Sequence, residues 1–236
     1  MSTTKRIAPK IIALLGGTFD PIHLGHILPA QETACWLGAE QLYLIPAHIP
    51  PHKTGTHANA KQRAEMVALV CDSNKSVLLD SRELDRDSPS YTVDSLREIT
   101  KAQPKAALYF MMGMDSLLTF TKWRHWQEIL TLCNLVVNIR PGYSHTDLEA
   151  ALAPELTKRL LYNLRQLQRE KVGQILLHES TPLDISEPVL KARRVIANIY
   201  LSQFTIISSK ISFIDNPIIY AFLFDNYILK VPFSLI

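Results

Sequence analysis

Gly16-Gly17-Thr18-Phe19-Asp20-Pro21-Ile22-His23-Leu24-Gly25-His26 decides how this chain is read. It follows an apolar run, Ile11 to Leu15, of a length that suits a buried strand. It precedes Ile27 to Ala39, where Ile27, Ala30, Ala34 and Leu37 recur at three and four and predict a helix with one buried face. A glycine-rich turn between a strand and a helix presents backbone N–H groups at the positive end of the helix. That is an anion site, and phosphate is its usual occupant. His23 and His26 stand three apart, so a helical first turn sets both on one side. Two imidazoles above a row of backbone donors suit the charge of a polyphosphate. A tight turn with incidental histidines is the rival reading.

The rest of the composition is that of an ordinary globular chain. Its 236 residues suffice for one α/β domain with a sizeable core, and 47% of them are apolar. Lys and Arg number 25 against 22 Asp and Glu, and a net charge of +3 is too small to argue for nucleic acid or a membrane as partner. Cys35, Cys71 and Cys133 are odd in number and lack metal-ligand spacing, so buried, reduced thiols in a cytoplasmic protein are expected. Positions 1–10 hold no apolar core of a signal peptide. No internal repeat, low-complexity linker or second domain is evident. The sequence leaves a homo-oligomer open.

Beyond the first helix the elements alternate. Pro29 is expected in that helix's first turn, where its missing N–H costs little, and Gly38 fits its end. Gln41 to Ile45 reads as a second strand. It runs into Pro46-Ala47-His48-Ile49-Pro50-Pro51-His52-Lys53, where three prolines dictate a loop. Ala60 to Asp72 reads as a helix with Ala64, Val67 and Val70 or Cys71 inward, and Val77 to Leu79 as a short strand. Ser88-Pro89-Ser90-Tyr91-Thr92 opens a helix over Val93 to Thr100, with Thr92 its expected N-cap. Ala107 to Met112 is the most apolar strand and the expected centre of the sheet. It leads into Gly113-Met114-Asp115-Ser116-Leu117. Trp123-Arg124-His125-Trp126 follows, with Trp126 assigned to the core and Arg124 and His125 to the surface. Leu132 to Ile139 is a further strand, ending in Arg140-Pro141-Gly142. Leu148 to Glu170 reads as one or two helices with Pro154 as a break or start, and Gly173 to His178 as a last strand.

Taken together, these segments resemble the bacterial nicotinate-nucleotide adenylyltransferases, members of the HxGH nucleotidyltransferases. The eleven opening residues match the family's GGTFDPIHxGH signature, and the proline loop matches its PxxxPPHK segment. The SYT segment, GxDxL and RPG follow in the family's order, so the resemblance covers about residues 11–186. It implies an α/β, Rossmann-like doubly wound, mostly parallel sheet flanked by helices in a single domain, 1–186, with 187–236 as an atypical C-terminal segment. It also implies the reaction of ATP with nicotinate mononucleotide to give deamido-NAD and pyrophosphate, with Mg2+ carried on ATP. His23, His26 and Lys53 take the catalytic roles. Gly17, Thr18, Phe19, Gly113, Asp115 and Ser186 join the two histidines around ATP. Thr92, Trp123 and Arg140 fall to the mononucleotide.

The pattern breaks near the end. The family's ISSTxIR segment corresponds to Ile185-Ser186-Glu187-Pro188-Val189-Leu190-Lys191, with Glu187 and Pro188 in place of Ser and Thr and Lys191 in place of Arg. A glutamate there repels phosphates, and lysine lacks the bidentate fork of arginine. From about Ile196 the chain is rich in Ile, Phe, Tyr and Asn, with no apolar run of the ~20 residues a membrane helix needs. Two alternatives therefore stand beside the main reading. One is an adenylyltransferase for nicotinamide mononucleotide or phosphopantetheine. The other is a nucleotide-binding protein impaired by its altered end. A nicotinamide-dependent dehydrogenase is disfavoured, since GxGxxG does not follow the first strand.

Overall fold

Seven apolar segments pair into one sheet in which every ladder is parallel. They are β1 (Ile11–Gly17), β2 (Gln41–Pro46), β3 (Val77–Leu79), β4 (Ala107–Gly113), β5 (Asn134–Ile139), β6 (Leu160–Leu161) and β7 (Ile175–Glu179). The computed structural model describes residues 9–52, 55–72, 74–139 and 144–180. Lys53, Arg140 and Ser186, expected at the site, lie outside the described residues, as does the segment 187–236.

Across the sheet the order is β3-β2-β1-β4-β5-β7-β6. The chain thus builds outward from β1 to β3, then returns to lay β4 on the other side of β1. This is an α/β, Rossmann-like, doubly wound sheet. Its central strands are nearly continuous apolar runs because helices cover both faces. Ile12 and Leu14 of β1 share a core with Phe110 and Met112 of β4 and Leu135 and Val137 of β5. Onto it pack Val93, Leu96 and Ile99 of α3 (Thr92–Ala102), Leu117 of α4 (Met114–Leu118) and Ile129 of α5 (Trp126–Leu132). Side chains alternate along a strand, so Asn138 and His178 face the other way. There they meet Thr33 of α1 (Leu24–Leu37), whose Oγ1 lies 2.8 Å from Asn138 Oδ1 and 3.0 Å from His178 Nδ1. Trp36 of the same helix stacks on His178 at 4.3 Å.

Five expectations are corrected. Of the three cysteines expected to be buried, Cys133 is buried, Cys71 is half-buried and Cys35 is exposed. The first helix begins at Leu24 rather than Ile27, because His23 caps it, so Pro29 lies inside the helix and not in its first turn. The N-cap of α3 is Tyr91, with extended backbone, and Thr92 is the first helical residue. The span 148–170 holds two short helices as expected, but they end at Thr157 and the rest is not α-helix. It divides into α6 (His145–Ala151), α7 (Pro154–Thr157), β6 and a 3-10 turn, Leu164–Gln166. Pro154 starts α7, where its missing N–H is no loss. Trp126 is half-buried, packed against the core rather than inside it.

Burial pushes the His178 imidazole below its ordinary value, against an opposing pull from Glu32. A histidine with a lowered folded pKa binds its proton more readily in the unfolded chain. Stability is then retained above about pH 6.5 and lost as pH falls below it. Melting should therefore shift down between about pH 7.5 and about pH 5, and His178→Gln should make that shift smaller. An unchanged shift in the variant would assign the effect elsewhere.

Candidate functional site

β1 ends on Gly17, and the chain turns through Thr18, Phe19 and a cis Asp20–Pro21 peptide before α1. Phe19 occupies the left-handed region at φ 50°, a costly place for a residue with a side chain. Packing holds it there. Phe19 is buried, and a Cβ added to Gly17 would lie 2.9 Å from its ring. The same ring meets His26 edge-on with centroids 5.4 Å apart. Gly17 is therefore needed for close approach, not for an unusual dihedral.

His23 is the N-cap of α1, and its backbone N–H donates to His26 Nδ1 at 3.3 Å. That bond leaves the proton of a neutral His26 on Nε2. The two imidazoles lie 3.8 Å apart, tilted by 32°. A Cβ on Gly25 would come within 3.0 Å of the His23 ring, so this glycine also makes room for the pair. His23 keeps an exposed edge, yet crowding by its neighbours lowers its pKa. No acidic residue sits in the first turn of α1, so the positive helix end is uncompensated by its own side chains. Gly17, Thr18, Phe19, His23 and His26 thus lie together on one turn, linked by ring contacts.

The strand ends extend this turn. Leu15 pairs with Met111, so β1 and β4 each run two residues further to their glycines, Gly17 and Gly113. The order of the sheet reverses between these two strands, where open α/β sheets hold ligands at their carboxyl ends. Gly113 caps α4, and Asp115 sits in its first turn. Thr92 and Trp123 belong to a neighbouring group. Half-buried Trp123 packs edge-on to Phe110 at 6.2 Å and against Phe120 at 5.5 Å. Arg124 lies over the ring of Tyr91, the residue before Thr92, at 4.7 Å. Among the described residues no group of three His, Cys, Asp or Glu could hold a metal ion, and no helix is long and apolar enough to cross a membrane.

The cytidylyltransferase-like family model matches residues 14–196. An Aeromonas hydrophila protein named "probable nicotinate-nucleotide adenylyltransferase" is 42% identical over 181 residues, 77% of this chain and 84% of the relative. A Shewanella pealeana protein of the same name is 45% identical over 175 residues, covering 74% and 80%. The chain belongs to the nicotinate-nucleotide adenylyltransferase family. Its members are nucleotidyltransferases, which gives the chain its enzyme class. The fold agrees with a solved structure of Plasmodium falciparum nicotinic acid mononucleotide adenylyltransferase complexed with NaAD. That likeness has a TM-score of 0.57 at 15% identity and covers 93% of this chain and 99% of that one.

The residue that sequence reasoning missed in this adenylyltransferase is Arg63 of α2 (Ala60–Asp72), which is 1% exposed. Its Nη1 donates to Thr18 O at 2.6 Å and to Ala47 O at 2.7 Å, and its Nη2 to His48 O at 3.0 Å. The available signal was its position four residues before Val67, on the inward face of a helix.

Replacing Gly17 with alanine forces a methyl group against the Phe19 ring. Gly17→Ala should cost about 1–3 kcal/mol of stability, as overpacking does, measured as a lower denaturant midpoint. An unchanged midpoint would show that the turn can yield.

Proposed function

We propose that this chain transfers the adenylyl group of ATP to nicotinate mononucleotide, giving deamido-NAD and pyrophosphate in NAD biosynthesis. The observation that carries the reading is the pair of stacked imidazoles at the uncompensated N-terminus of α1, beside the strand reversal. Family membership supports the acceptor.

A phosphate oxygen of the mononucleotide attacks the α-phosphorus of ATP. The new P–O bond forms as the bond to the β-phosphate oxygen breaks, and pyrophosphate leaves with that electron pair. The nucleophile is already anionic at neutral pH, so no general base is required. Catalysis then rests on alignment and on positive potential around the α-phosphate and the leaving group. His23 and His26 grip the phosphates above the Gly17, Thr18 and Phe19 backbone. Gly113 lets the nucleotide approach β4, and Asp115 accepts from ribose hydroxyls. Mg2+ enters as part of the substrate, on ATP, and with Lys53 neutralises the pyrophosphate. Ser186 is assigned to ATP on the family resemblance alone.

The acceptor falls to the other group. The start of α3 at Thr92 offers backbone donors to the nicotinate carboxylate. Trp123 offers an indole face to the pyridinium, a contact of about 0.5–2 kcal/mol. Arg140 pairs with the mononucleotide phosphate. We place the reaction in the cytoplasm, where Cys35, Cys71 and Cys133 stay free thiols.

Pyrophosphate release with ATP and nicotinate mononucleotide tests this directly. Release should be fastest with that acceptor and much slower with nicotinamide mononucleotide or phosphopantetheine. His23→Ala or His26→Ala should cut turnover by about a hundredfold or more with little change in melting. No release from the unaltered chain, restored when Glu187→Ser is combined with Pro188→Thr, would assign the loss to the altered end. Near-normal turnover in the histidine variants would refute their role.

A further inference from the structure

The proline loop makes hydrogen bonds to both groups of the site. On one side, Ala47 N–H donates to Gly17 O at 2.9 Å, and Arg63 binds Thr18 O together with Ala47 O and His48 O. On the other side, His48 N–H donates to Ser90 Oγ at 2.9 Å, and Ser90 N–H donates to Ile49 O at 2.9 Å. The His48 ring adds a third tie, its Nδ1 lying 2.6 Å from Arg86 O. A carbonyl only accepts, so Nδ1 carries the hydrogen. One chain of hydrogen bonds therefore runs Ser90, His48, Arg63, Thr18.

We propose that the His48 backbone is a strut that sets the ATP turn and the acceptor segment in register, with Arg63 and Ser90 as positioning residues at its two ends. The proposal rests on the adenylyl-transfer reading for what each end binds. It assigns roles that touch neither substrate. Arg63 can hold three carbonyls from two separate loops because its donors form a planar fork, and lysine has no such fork. Removing either end leaves buried polar groups unpaired, which loosens the loop from that side. In-line transfer needs the two reacting oxygens aligned within fractions of an ångström, so register between the ends is a catalytic requirement. Coupling of this kind is reciprocal. Ser90, on the acceptor side, must influence ATP, and Arg63, on the ATP side, must influence the acceptor segment.

The test uses the full chain with Ser90→Ala, Arg63→Lys and the double variant. Backbone hydrogen exchange is followed in the ligand-free protein, and ATP affinity is measured by calorimetry without acceptor. Ser90→Ala should speed exchange at Thr18 and Phe19, while Leu135 to Val137 in β5 exchange as before. A merely destabilising substitution would speed all of them. Arg63→Lys should in turn speed exchange at His48 and Ser90, which keeps the proposal testable if Ser90→Ala fails to fold. ATP affinity should fall about three- to tenfold in Ser90→Ala, and the loss in the double variant should be smaller than the product of the single losses. Local exchange confined to the mutated end, or losses that multiply, overturns the strut. If exchange couples as described but the unaltered chain does not bind ATP, the strut stands and the adenylyl-transfer reading falls.

Discussion

Two adjacent parallel strands that end on glycine, with the order of the sheet reversing between them, set the constraint on which the rest depends. β1 and β4 lie side by side in register, yet β1 leads towards β2 and β4 towards β5 on opposite sides. Their connections diverge, and the crevice between them receives the turn of one and the short helix of the other. Gly17 is held to a bare hydrogen by the Phe19 ring 2.9 Å from where a Cβ would be. The end of β1 is thus kept clear of side-chain bulk, beside the imidazoles of His23 and His26.

Electrostatics then decide what fits there. The N-terminus of α1 carries no acidic side chain in its first turn, and two imidazoles are stacked over it. Crowding lowers the pKa of His23, which disfavours its charged form in the free site. A bound polyphosphate would favour the protonated ring, and the site gains charge when the anion arrives. Arg63 contributes differently. Its guanidinium is spent on carbonyls of the turn and of the proline loop, so it shapes the donors rather than serving as one for the ligand.

Much of this was legible from residues alone, for physical reasons. The run Ala60–Asp72 and the strand Val77–Leu79 appear with the expected bounds, since apolar spacing and flanking turns agree there. The histidine pair was readable because three-residue spacing fixes a common side once a helix begins. The start of α1 is hidden from the sequence because histidine is not among the usual capping residues, so the apolar spacing points to Ile27 as the first helical position. Thr92 was misplaced for the converse reason. A threonine looks like a cap, but Tyr91 holds that position with its backbone alone. The two residues of β6 have no periodicity to read and owe their conformation to pairing with β7. Arg63 depends on carbonyls 45, 16 and 15 positions away, and no local pattern reveals such partners.

The position of a bound nucleoside triphosphate tests the central claim most directly. A crystal structure of this chain with a non-transferable ATP analogue should place phosphate oxygens within hydrogen-bonding distance of the peptide nitrogens after Gly17 and of the His23 and His26 rings. Phosphates seated elsewhere, with that turn closed by the chain's own side chains, would contradict it.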